Sequence, residues 1–71
     1  MTLKTLRANT LRNDTRTVAE LRAATVRDGF GAAWFDANVN EPQNGLNEED
    51  SRRYCAISCA NQAAAFKASG R

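Results

Sequence analysis

Asn47–Ser69 reads NEEDSRRYCAISCANQAAAFKAS, the longest helix-like run in a chain of 71 residues and the stretch with a wide, unbroken apolar arc. Asn47 suits the N-cap, because its side-chain oxygen can accept from the free N–H groups of the first turn. Glu48, Glu49 and Asp50 follow, and negative charge there complements the positive end of the helix dipole. Lys67 and Gly70 supply the usual charge and stop signal at the other end. No Pro or Gly interrupts the middle, and the five alanines between Ala56 and Ala65 favour helix.

On a helical wheel Cys55, Cys59, Ala63 and Phe66 share one sector, extended by Ala56, Ile57, Ala60 and Ala64. Ser51, Ser58, Asn61 and Gln62 are assigned to the opposite side, together with Ala65. Small residues let another helix approach closely. The stretch therefore predicts a packing face for the N-terminal part of the chain, for a second copy, or for both.

Working outward, Asn38–Asn47 is rich in turn signals, with Glu41-Pro42 and Asn44-Gly45, and reads as an exposed loop over 38–47. Phe30 to Asn38 precedes it, either as a short third helix or as a continuation bent at Gly29 and Gly31. Phe30, Trp34 and Phe35 are three of the five aromatic residues. Before them, Thr17-Val18-Ala19-Glu20 is a capping box that starts a helix ended by Gly29. Ala19, Ala23 and Val26 align on it, with Leu21 beside them. Thr2 to Asn13 reads as a first short helix with Leu3 and Leu6 on one face and Leu11 at its edge. Its Thr and Asn residues are poor helix formers.

Residues 5–29 also carry a period of five, TLRAN, TLRND, TRTVA, ELRAA and TVRDG, which resembles the pentapeptide-repeat solenoids. The position before the apolar residue is Thr, Thr, Thr, Glu, Thr where that family has Asp or Asn. The units would make little more than one coil, too few to bury a stacked core, so helices are preferred. Gly29-Phe30-Gly31-Ala32-Ala33 resembles a segment of the small ribosome modulation factors, but the paired Trp that should follow is absent and membership is not assigned.

The chain is long enough for one domain, 1–71, with a modest core of about 3–5 kcal/mol. Scaffolds of this size often add disulfides, a metal or a second copy, and with two Cys and no His a homodimer becomes the favoured addition. The net charge of +2 is too small to imply a nucleic-acid partner, but it is unevenly spread. Residues 1–27 hold six bases against two acids, residues 28–50 six acids and no base, and residues 51–71 four bases and no acid. The acidic middle is expected to lie against the basic ends of its own chain or of a second copy. No apolar run reaches membrane-spanning length and no signal-peptide pattern opens the sequence, so a cytoplasmic location is expected.

Without His there is no Ser-His-Asp or Cys-His arrangement, and the acids cluster at a helix start and in loops, where they cap and solvate. No enzyme activity and no cofactor are expected. Cys55 and Cys59 lie four apart, the wrong spacing for C-x-x-C zinc or redox motifs, and no other ligand can complete a tetrahedral site. They read as small core residues, with an intermolecular disulfide as the sharper alternative. A helix-turn-helix around Gly29 would present Ala32–Asn38, which carries Asp36 and no base, a poor reader of phosphate or guanine.

The sequence thus predicts an all-α fold, two or three short helices packed on a long C-terminal helix over about 47–69, assembled as a homodimer. The expected function is a small protein-interaction module, a regulator or inhibitor occupying a partner protein's surface through Phe30, Trp34, Phe35, Asp36 and Glu41. The alternative is a nucleic-acid- or ribosome-associated protein using Lys4, Arg7, Arg12, Arg16, Arg22 and Arg27. A structural subunit of a larger assembly is a third class. Phages and plasmids encode many proteins of this length, which is a prior from size alone.

Overall fold

A computed structural model describes residues 2–70. Four helices follow one another: α1 (Leu3–Asn13), α2 (Val18–Arg27), α3 (Ala32–Val39) and α4 (Glu48–Ala68). Among the described residues there is no strand. The period of five is therefore not a β-solenoid; it lies across two helices and the break between them.

Local chemistry sets the helix ends. Asn47 caps α4, its Oδ1 accepting from the Asp50 N–H at 2.8 Å. Thr17 and Glu20 form the reciprocal capping box of α2, with bonds of 3.1 and 2.9 Å. Thr2 caps α1 by accepting from the Thr5 N–H at 3.2 Å. α2 stops in a Schellman motif: Gly29 at φ +101° lets its N–H reach the Val26 carbonyl and the Phe30 N–H reach the Thr25 carbonyl. α3 is thus a separate helix rather than a bent continuation of α2.

α4 is the spine. Its 21 residues run about 31 Å, close to the longest extent of the molecule, 33 Å. α2 and α3 pack on it and on each other, whereas of the other helices α1 packs on α4 alone. The core joins Leu21 of α2, Phe35 and Val39 of α3, and Cys55, Ala56, Ile57, Cys59 and Ala60 of α4, with Leu11, Val18 and Trp34 partly buried against it. The alanines let the α2 and α3 backbones come close, and Phe35 and Leu21 fill the remaining space, each burial contributing about 1.5–3 kcal/mol. Within one chain the small-residue stripe is filled from Cys55 to Ala63, while Ala64 and Phe66 at its far end are exposed.

Two faces differ from the sequence reading. α2 buries Leu21 and Thr25, while Ala19, Ala23 and Val26 are exposed. The Thr25 hydroxyl donates to the Leu21 carbonyl at 2.8 Å, so the side chain satisfies its polar group locally and packs through its methyl. Ser51, assigned to the polar side of α4, is buried. It lies one turn before Cys55 in the same i, i+4 row as Cys59 and Ala63, and it ties down the loop. Its Oγ accepts from the Gln43 N–H at 2.8 Å and donates to the Glu41 carbonyl at 3.2 Å.

Candidate functional site

Three of the five aromatic residues gather where the α2–α3 turn meets the last turns of α4. The Schellman turn sets Phe30 beside Trp34, ring centroids 4.7 Å apart, and beside Phe66, 5.5 Å apart, both edge-to-face. Such geometry aligns the positive edge of one ring with the negative face of the next. Phe30 and Trp34 are half-buried and Phe66 is 50% exposed. α4 outruns the shorter helices packed on it, which leaves Phe66 only partly covered. Asp28 braces this end: its Oδ1 meets Lys67 Nζ at 3.6 Å and Arg27 Nε at 3.4 Å, linking the C-terminal turns of α2 and α4.

The five nominated residues do not form one surface. Phe30 and Trp34 come together. Phe35 is a correction: at 1% exposure it is a core residue that no partner can reach in the folded chain. Successive helical residues are rotated by about 100°, so Phe35 turns inward beside a partly buried Trp34. Asp36 lies a further step round and accepts two hydrogen bonds from Arg22, at 2.9 and 3.0 Å, which hold its carboxyl below the usual range. Glu41 lies beyond the C-terminal end of α3, on a groove of about 370 Å³ that Pro42, Leu46 and Arg52 also line. Phe66, in contrast, belongs to the cluster. The wheel grouped it with the packing face, and no local signal says that the covering helices end before it.

The loop from residue 40 to 47 is anchored by its backbone. Besides the Ser51 contacts, the Cys55 thiol donates to the Glu41 carbonyl at 3.2 Å and Arg7 donates to the Asn44 carbonyl at 2.7 Å. Cys55 and Cys59 are both buried free thiols. Burial, followed by the neighbouring Cys55, raises the Cys59 pKa and disfavours the reactive thiolate. Among the described residues, no three His, Cys, Asp or Glu side chains converge where they could hold a metal ion.

The basic set is largely engaged. Arg16 pairs with Asp14 at 2.7 Å, Arg22 with Asp36 and Arg27 with Asp28. Arg7 also lies 5.7 Å from the Tyr54 ring centroid. Arg12 bonds the Asn9 side chain, and the Lys4 methylenes lie over Gly45. The acidic middle thus meets both basic ends within one chain, through Asp36 with Arg22 and Asp28 with Lys67. Arg53 has a role that sequence patterning gave no sign of: its guanidinium donates to the carbonyls of Leu11 at 2.8 Å, Arg16 at 3.1 Å, and Asp14.

No protein-family model, curated protein or solved structure matches the chain. No described helix is long and apolar enough to cross a membrane.

Proposed function

We propose that this protein is a small non-enzymatic interaction module, a regulator or inhibitor that occupies a partner protein's surface through Phe30, Trp34 and Phe66. The observation that carries the reading is a braced aromatic cluster whose outer ring, Phe66, is half exposed. Aromatic side chains concentrate binding energy because they bury a large area with few rotatable bonds. Here mutual edge contacts hold them, so binding would cost little further ordering. Asp36 and Glu41 leave this surface; Arg27 and Lys67 take their place beside it.

The nucleic-acid alternative is less well supported. Three of its six basic residues are held by carboxylates and Arg7 is spent on a carbonyl and a ring. Affinity for phosphates rests on cations free to replace counterions.

The test is capture from the source cell with the wild-type chain, then affinity measurement on the captured protein. Phe66→Ala should fold normally and bind at least about 30-fold more weakly, as expected of a hot-spot residue. Full affinity in Phe66→Ala and in a folded Trp34→Ala overturns the reading. Capture of nucleic acid, lost steeply with added salt, supports the alternative.

A further inference from the structure

We infer that α1 is a detachable arm, held on a self-sufficient α2–α4 core by the polar grip of Arg53 and Arg7 rather than by apolar burial. All the buried residues among those described lie in α2, α3 and α4, and α1 contributes none. Of the other helices α1 packs on α4 alone, and its one apolar residue against the core, Leu11, is only partly buried. Leu3 and Leu6 stand 60% and 49% exposed. α2 supplies its own start through the Thr17–Glu20 capping box, so its first turn does not need α1 to precede it.

What holds α1 is specific and concentrated. Arg53 grips its last turn through Leu11 and the following link through Asp14 and Arg16, three carbonyls on one guanidinium. Arg7 reaches from the other half of α1 to the Asn44 carbonyl and the Tyr54 ring. The Arg7 grip is incomplete, because its Nε is buried without a hydrogen-bond partner, which opposes docking. Few buried apolar contacts and a small number of polar ties are the marks of a segment that opens below the global unfolding energy.

Undocking has a structural consequence. A groove of about 380 Å³ already separates Thr10 on α1 from Tyr54, Ile57, Asn61 and Ala65 on α4. Release about the link at residues 14–17 widens it and frees Leu11 and Arg7 together. The arm then carries three leucines and three bases, Lys4, Arg7 and Arg12, with no acid. The groove shares no lining residue with the aromatic cluster, and the inference does not depend on that cluster's function.

Amide hydrogen exchange on the full chain, read by mass spectrometry, tests the arm. Residues 3–13 should exchange at least about 10-fold faster than residues 55–63, the core of α4. Arg53→Gln should speed α1 exchange by a further 10- to 100-fold, roughly the worth of lost hydrogen bonds to a charged group, and change α4 by less than about 3-fold. Arg53→Lys, which keeps the charge and stem but loses the fork, should give a smaller, equally selective effect and serves where Arg53→Gln does not fold. Equal protection of α1 and α4 in the wild type, or acceleration spread evenly over all helices in the folded variant, overturns the inference.

Discussion

α1 and α4 are each opened by a side-chain cap, Thr2 on one and Asn47 on the other, yet α4 buries seven of its residues and α1 buries none. The difference lies in the spacing of apolar positions. In α4 the row Ser51, Cys55, Cys59, Ala63 repeats every four residues, and Ala56, Ile57 and Ala60 widen it into one face. In α1 the leucines at 3, 6 and 11 are spaced by three and five, which puts Leu6 and Leu11 about 140° apart. One neighbour cannot cover both. A cap starts a helix, but a shared face is what commits it to a core.

The comparison breaks first at Phe35. Phe35→Ala should cost about 3–5 kcal/mol, as much as a core of this size supplies. Urea unfolding followed by circular dichroism should then lose its cooperative transition. A variant that still unfolds cooperatively near the wild-type midpoint would mean that the α2–α4 core is not where stability resides.

Acid sharpens the contrast at the α1 boundary. Hydrogen bonds from the Arg16 guanidinium, opposed by burial and helped by the Arg16 backbone N–H, pull the Asp14 carboxyl from 3.8 to about 2. The folded value lies below the unfolded one, so the contribution is complete above about pH 4 and is lost as the pH falls toward 2. The partly exposed pair limits it to about 1 kcal/mol or less. Urea midpoints at pH 6 and pH 2.5 should differ less in Asp14→Asn than in the wild type. An unchanged difference would remove Asp14 from the set of groups that hold the α1–α2 link.

Leu6→Ala should do least. Leu6 is 49% exposed, and a substitution there should stay within about 0.5 kcal/mol of wild type in the same urea assay. A cost near that of a buried leucine, about 2–5 kcal/mol, would show that α1 packs more tightly than its exposure implies.

The helix ends were legible in the sequence because caps, capping boxes and glycine stops act over four or five residues. Asn47, Thr17–Glu20 and Gly29 all do what their local chemistry dictates. The all-α class and the spine role of α4 followed from the same signals with apolar periodicity. The candidate site was legible only in part. Phe30 and Trp34 do meet, but the sequence could not say that Phe35 turns inward or that Asp36 is taken by Arg22.

Tertiary structure decided the rest, for a physical reason that runs through each case. Thr25 and Ser51 are buried because a hydroxyl can find its partner on a nearby backbone, which polarity alone does not show. Phe66 is half exposed because the covering helices are shorter than α4. Arg53 acts on carbonyls 37 to 42 residues away, beyond the reach of any local pattern. The sequence by itself determined the starts of α2 and α4 and the stop of α2 at Gly29, and left open whether residues 30–38 form a helix of their own. Which faces are covered, and by how much, depended on the lengths and angles of helices meeting at a distance along the chain.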